Sequence, residues 1–254
     1  MREKNIISKV RKILKQNKVS IGSWLQLNNL SSAQIIADGG YDWVALDLEH
    51  GQFDTSKLSE IFNLLSLNKN LPLARLAQNN SKDIKVALDS GAAGLIFPSV
   101  ESHEELEELI KLASWPPSGI RGVGFSNANL FGRYFEEYNK FSQSPFIVAM
   151  IENKKGLDNL KDILSVEGLD AILIGPYDLS ASLGMTGNFE SKNFQKIISE
   201  ILRTCKKSNI PCGLHQVEPD QKNLKKLIKK GFTFIPYSID SVFLEKFSKN
   251  PLIK

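Results

Sequence analysis

Eight short, apolar, β-rich segments punctuate this chain, and each is followed by a helical pattern. They are IGSWL (21–25), WVALDL (43–48), LPLARL (71–76), GLIFP (94–98), FIVAMI (146–151), AILIG (171–175), PCGLH (211–215) and FTFIPY (232–237). Near-continuous apolar runs mark strands buried on both faces, and strands alternating with helices build a parallel sheet from βα units. Eight such units close a barrel, and 254 residues suit one barrel with its helices. The expected fold is α/β, a single (β/α)8 TIM barrel over residues 1–254 with its helices outside.

The helical segments carry their own boundary signals. SSAQIIADGG (31–40) reads as a helix opening on Ser31 and stopping at Gly39 and Gly40, and SHEELEELIKLA (102–113) shows a capping-box pattern in Ser102 and Glu105. Residues 1–18 place Ile6, Ile7, Val10, Ile13 and Leu14 at helical spacing, which predicts an amphipathic helix capping one end of the barrel with its lysines in solvent. The longest connection, 114–145, holds PPSGIRGVGFSNANLFGRY and is a candidate lid or subunit contact.

Composition excludes several classes. The formal charge is only +4, and no basic patch interleaved with aromatics marks a nucleic-acid partner. No apolar run of about 18 residues predicts a membrane span, and no secretory segment is evident. Cys205 and Cys212 supply neither a disulfide framework nor a zinc quartet, so reduced thiols and a cytoplasmic location are expected.

Barrel enzymes carry their chemistry at the carboxyl ends of the strands. Here Trp24 ends the first strand, Asp47, Glu49 and His50 follow the second, Arg75 ends the third, Glu152 follows the fifth and Asp178 the sixth. Glu152 and Asp178 are oxygen donors suited to a hard cation that keeps its other positions for water and substrate; alternatively, they cap the helices that follow. Arg75, among apolar neighbours, needs an anion. A substrate carboxylate, a developing enolate, or an internal pair with Asp47 or Glu49 would each serve. His50, beside carboxylates, is a candidate general base, whereas His215 either lines the mouth or packs in the core.

Two absences narrow the chemistry. No strand segment contains a lysine, which removes a Schiff-base nucleophile from its expected place. HQVEPD and YSIDS, after strands seven and eight, lack the glycines of a phosphate cradle, so a carboxylate substrate without phosphate is expected.

GSWLQL, DWVALDLEHG, LARL, LDSGAAGLIFP, RGVG, MIENKKGLDNL and LDAILIGPYDLSASLG, in that order over about residues 20–240, resemble the HpcH/HpaI family of class II, metal-dependent pyruvate aldolases. The resemblance implies a homo-oligomer, a trimer or hexamer, that uses Mg²⁺, Mn²⁺ or Co²⁺. It would reversibly cleave a 4-hydroxy-2-oxo acid into pyruvate and an aldehyde through a cation-stabilised enolate. By the same resemblance His50 is the base, Arg75 the transition-state stabiliser, Asp89 the acid behind the histidine, and Glu152 and Asp178 the metal ligands. Trp24, Met150, Gly175, Tyr177 and Asp178 would contact substrate, the backbone amides around Tyr177 and Asp178 holding its carboxylate. Met150 departs from the family pattern, because a thioether stands where a glutamine amide is usual and cannot donate its hydrogen bond. Asp89 falls near a helix end, so it would have to reach His50 through an unusual path or across a subunit boundary. The alternatives are a citrate-synthase-like or CoA-ester carbon–carbon lyase or ligase of the same architecture, and a non-catalytic carboxylate-binding barrel.

Overall fold

The computed structural model describes residues 2–250 and 252. Its strands are β1 (Ser20–Leu25), β2 (Trp43–Asp47), β3 (Leu71–Arg75), β4 (Gly94–Phe97), β5 (Phe146–Ile151), β6 (Ala171–Ile174), β7 (Cys212–Leu214) and β8 (Phe234–Ile239). Each lies within two residues of the segment expected from the apolar runs. They pair in parallel in the order β7-β6-β5-β4-β3-β2-β1-β8. The two ends meet just beyond β7, where Gln216 N donates to Pro236 O (3.0 Å) and Ser238 N to Gln216 O (2.8 Å). The sheet therefore closes into the (β/α)8 barrel.

Alternation along the strands divides the core into two layers. One face of each strand packs on the outer helices, as Val44, Leu46, Ile147 and Ile172 do. The other fills the barrel with Trp43, Leu71, Phe146 and Phe234. Trp43 stacks on Phe234 at 4.2 Å, and it fits because Gly22 leaves space: a Cβ there would lie 2.0 Å from the indole.

The N-terminal helix, Arg2–Lys15, buries Ile6, Ile7, Val10 and Leu14 against this inner layer, with Ile13 half-buried. Arg11 fixes it with a two-pronged pair to Asp170, just before β6 (Nε–Oδ1 2.7 Å, Nη2–Oδ2 2.8 Å). The helix thus plugs the amino end of the barrel, opposite the mouth. Cys205 and Cys212 are free and buried. No helix among the described residues is long and apolar enough to cross a membrane.

Three local expectations are corrected. The first barrel helix is Leu30–Asp38, and Asn29 caps it instead of Ser31, accepting from Ser31 N (2.8 Å) and Ser32 N (3.1 Å). Asn is as good an N-cap as Ser, and its side chain reaches two amides here. The helix His103–Ala113 keeps only half of its capping box. Ser102 accepts from Glu105 N (3.2 Å), but Glu105 reaches back one residue further, to Glu101 N (2.8 Å).

The third correction concerns 114–145. This segment joins the carboxyl end of helix His103–Ala113 to the start of β5, so it lies on the amino face of the barrel and cannot close over the mouth of its own protomer. It is folded, with a helix at Phe135–Phe141. Arg121 ties it down, donating to Ala113 O (3.2 Å) and Tyr138 Oη (2.7 Å) and lying 5.4 Å from the Trp115 ring.

Candidate active site

A cavity of about 320 Å³ opens at the carboxyl end of the strands. Every strand-end residue singled out from the sequence lines it except Glu49, which reaches it through Arg75. Arg75 is the centrepiece. It leaves β3 pointing inward, with its side chain 7% exposed, and clamps the Asp47 carboxylate through Nε (2.9 Å) and Nη2 (3.4 Å). Its Nη1 donates to Glu49 Oε2. Both internal pairs foreseen for this arginine coexist, and two of its five N–H groups remain for a ligand.

Asp47 also accepts from Gln26 Nε2 (3.0 Å) and from the backbone N–H of Glu49 (3.2 Å) and His50 (3.1 Å). Burial alone would raise its carboxyl, but Arg75 and these donors hold it below the usual carboxylate range. The turn that carries His50 is therefore anchored to the charge that orients Arg75. His50 itself is exposed, and its Nε2 lies 3.9 Å from Glu49 Oε1. Glu49 thus bridges the imidazole and the guanidinium.

Glu152 follows β5, two strands away from β3, into the same cavity. Its Oε2 accepts from Ser99 N (2.8 Å) and Ser99 Oγ (3.4 Å), while Oε1 receives no donor among the described residues. Burial pushes this carboxyl above its usual range. Ser99 and Arg75 pull it back, and the charges of Asp178 and Glu49 push it further up. A buried carboxylate with a second one close by and an oxygen left bare is the environment a cation relieves. No three His, Cys, Asp or Glu side chains cluster as a metal site among the described residues. A cation here would take Glu152 and Asp178 and fill its remaining positions with water and substrate, as Mg²⁺ and Mn²⁺ do.

Gly175 makes room for that carboxylate. A Cβ at this position would stand 2.5 Å from Glu152 Oε1 and 2.8 Å from Cγ, and the backbone (φ −87°) is one any residue adopts. The effect of Gly175→Ala is therefore steric. It is expected to displace Glu152 and weaken Mn²⁺ binding by about tenfold or more, the scale of lost support for a metal ligand, as read by titration calorimetry. Undiminished affinity would count against Glu152 as a ligand.

The helix Pro176–Ser182 begins directly after Gly175, and Leu179 N is its first amide bonded backward, to Gly175 O (3.0 Å). Pro176 has no N–H, so the amides of Tyr177 and Asp178 are without helical partners. Tyr177 is exposed at the rim, edge-on to Phe189 at 4.8 Å. Trp24 and Met150 are buried in the cavity wall.

Asp89 does not join them. It sits at the carboxyl end of the helix Ser81–Ser90, on the amino face of the barrel, half-buried near Arg121 and Lys85. The mouth also includes residues that the strand-end pattern passed over. Gln26 and Ser99 stand one or two residues past β1 and β4, where a polar residue was a readable signal; their partners were not.

His215 lines the cavity as well, 5.0 Å from Trp24. Burial pushes its imidazole down to about 4, against the pull of the Ser238 backbone and Asp47, with Arg75 adding to the fall. In the unfolded chain the group titrates near 6.5. Between those two values the unfolded chain binds a proton that the folded one refuses, so stability is lost as pH falls from 6.5 through 4, by about 3 kcal/mol in all. His215→Leu is expected to flatten the curve of Tm against pH across that window, and an unaltered slope would contradict this.

Together these features define a TIM barrel with an acidic, arginine-centred mouth. The family model for HpcH/HpaI aldolase/citrate lyase matches residues 20–245, and the chain belongs to that family. It is 32% identical over 234 residues to 5-keto-4-deoxy-D-glucarate aldolase of Escherichia coli O139:H28 (strain E24377A / ETEC), covering 92% of this chain and 91% of that protein. An HpcH/HpaI aldolase/citrate lyase family protein from Burkholderia cenocepacia J2315 superposes with a TM-score of 0.87 at 26% identity, over 94% of this chain and 96% of the other. The HpcH/HpaI aldolase from Desulfitobacterium hafniense DCB-2 does so with 0.83 at 28%, over 93% and 92%.

Proposed function

We propose that this protein is a divalent-metal-dependent aldolase that reversibly cleaves a 4-hydroxy-2-oxo acid into pyruvate and an aldehyde. The observation that carries the reading is the buried Glu152 carboxylate, bare at Oε1, with Asp178 and Arg75 in the same cavity and close enough for their charges to act on it. The relative named as an aldolase agrees with it.

Glu152 and Asp178 would hold Mg²⁺, Mn²⁺ or Co²⁺, which when bound supplies Lewis acidity toward the 2-oxo acid. The backbone N–H groups of Tyr177 and Asp178 bind the substrate carboxylate, and Trp24, Met150 and Gly175 shape the wall around it. Met150 offers no donor, so the polar contacts on that side fall to the backbone. In cleavage the C3–C4 bond breaks, its electron pair stays on C3, and C4 becomes the aldehyde carbonyl. His50, through a water, takes the C4 hydroxyl proton, and C3 is then protonated to give pyruvate. The two free N–H groups of Arg75 face the negative charge as it develops.

The exposed side chains Ile120, Val123, Phe125 and Phe131 on 114–145 form the contact between copies in a trimer or hexamer, and Asp89 can serve a histidine only in another copy. Light scattering checks this part, since a monomeric mass would contradict it. The two free, buried thiols accord with a cytoplasmic setting.

The test is a screen of pyruvate with small aldehydes on chelator-treated protein, each divalent metal being restored in turn. Aldol products that release pyruvate on cleavage are expected. Free CoA from acetyl-CoA and oxaloacetate, without any aldol product, would contradict the proposal.

A further inference from the structure

The chain's formal charge of +4 conceals an uneven distribution. Between residues 191 and 231 stand ten lysines and arginines against three acids, Glu200, Glu218 and Asp220, a net charge of +7 that leaves the rest of the chain at −3. All ten cations are exposed, and none lies within ion-pair distance of a carboxylate among the described residues. Two of the three acids are otherwise engaged. Glu218 pairs with Lys246 (3.6 Å), and Asp220 caps the helix Gln221–Lys230 by accepting from Lys222 N (2.7 Å) and Asn223 N (3.3 Å).

The fold gathers these charges on one side of the barrel. The helices Lys192–Lys207 and Gln221–Lys230 flank β7 in the chain, and Lys230 Nζ donates across to Gln195 Oε1 (3.0 Å). On the second helix Lys222, Lys226 and Lys230 fall in one row at every fourth residue, about 6 Å apart along the axis. Lys225 and Lys229 make a second row beside them. This helix contains no acidic residue, and like charges four residues apart oppose helix formation. A ligand with repeating negative charge relieves that repulsion along the whole row.

A groove of about 350 Å³ opens between the two helices, with Lys226 and Lys230 on one side and Gln195 on the other. Rings continue it: Tyr177 stands edge-on to Phe189 at 4.8 Å, and Phe189 lies 5.8 Å from Phe194. Tyr177 is 56% exposed and lines both this groove and the mouth of the barrel. The lysine row has no aromatic of its own, which is why the sequence pattern marks no nucleic-acid face there. Folding supplies the rings from other elements.

We propose that this groove binds single-stranded RNA, with Lys222, Lys226 and Lys230 on successive phosphates and Tyr177 stacked on a base. A positively charged groove with an exposed ring holds single strands with little regard to their sequence. Three observations choose among polyanions. The concavity suits a strand better than a flat bilayer, and no large apolar side chain between 191 and 231 is exposed to enter one, among the described residues. The ring favours bases over an acidic peptide. Glu190 and Glu218 also line the groove, and their carboxylates can accept from the 2′-hydroxyl that DNA lacks.

The experiment is fluorescence anisotropy of a labelled oligouridylate of about a dozen nucleotides, titrated with the intact protein in about 50 to 200 mM KCl. Binding is expected at the lower salt and should fall steeply as salt rises. Lys222→Ala, Lys226→Ala and Lys230→Ala combined should weaken it at least about tenfold, and should flatten the plot of log K against log salt by about 0.7 for each contact removed. Lys12→Ala, Lys15→Ala and Lys18→Ala combined make the same change of charge at the amino end of the barrel. They should leave the affinity within about twofold, because charges so far from the groove are screened. Tyr177→Ala should cost about tenfold and Tyr177→Phe much less, since the second keeps the ring. All these side chains are exposed, so the variants should fold, and thermal melts check that they do. No binding at the lower salt, an equal loss in the two lysine triples, or an unmoved affinity in Tyr177→Ala would overturn the proposal. So would equal affinity for the matching oligodeoxyuridylate, or capture of the protein by phosphatidylglycerol vesicles through the same lysines while the RNA stays free.

Discussion

Arg75→Ala is expected to lower kcat/KM for aldol cleavage by about two to three orders of magnitude, measured as pyruvate release at saturating Mn²⁺. Removing a preorganised cation from a developing oxyanion costs about 3–4 kcal/mol of transition-state stabilisation. The same substitution strips Asp47 of its two-pronged partner. That carboxylate is 2% exposed, and an unpaired buried charge costs about 3–5 kcal/mol, so Tm should fall as well. Arg75→Lys separates the two effects. It returns a positive charge to Asp47 and much of the stability, but a point charge cannot hold Asp47 and Glu49 and also face the substrate as the planar fork does. Activity in Arg75→Lys within about tenfold of the intact protein would show that charge alone suffices, contrary to the geometry of the clamp.

Glu152→Gln is the second large effect, and its sign differs between two readouts. Cleavage should fall by at least about a hundredfold, and the rise in Tm on adding Mn²⁺ should vanish, because ligand-linked stabilisation scales with affinity. Without metal, the variant should be as stable as the intact protein or more so. Burial raises the Glu152 carboxyl above its usual range, which means that the folded chain bears a cost for that charge, and an amide of the same shape removes it. The side-chain oxygen can still accept from Ser99 N (2.8 Å in the intact protein). A Tm that drops sharply without metal would assign Glu152 a structural role instead.

The barrel was legible because buried parallel strands are apolar on both faces, and Gly, Pro and polar residues bound them. Arg75 was legible for a related reason, since an arginine in LPLARL has nowhere to put its charge except into Asp47, Glu49 or a ligand. What stayed hidden depends on side-chain direction. Nothing in GLIFPS says that Ser99 turns its N–H toward Glu152, and nothing in PCGLH says that His215 buries its Nε2 without a partner among the described residues. Asn29 displaced Ser31 as a helix cap because neighbouring good caps compete on geometry that a residue pattern does not contain. The side of the barrel occupied by 114–145 was readable in principle, since a connection from helix to strand returns to the amino face. Asp89 follows the same logic: a residue at the end of a barrel helix lies as far from the mouth as the chain allows.

The most direct test of the central claim is exchange of the pyruvate methyl protons in D₂O, followed by proton NMR with Mg²⁺ present and with Mg²⁺ removed by a chelator. The account predicts exchange in the Mg²⁺-loaded intact protein, its loss on chelation and recovery on restoring the ion, and little exchange by Glu152→Gln in either condition. Exchange that continues undiminished after chelation, or that survives in Glu152→Gln, would contradict it.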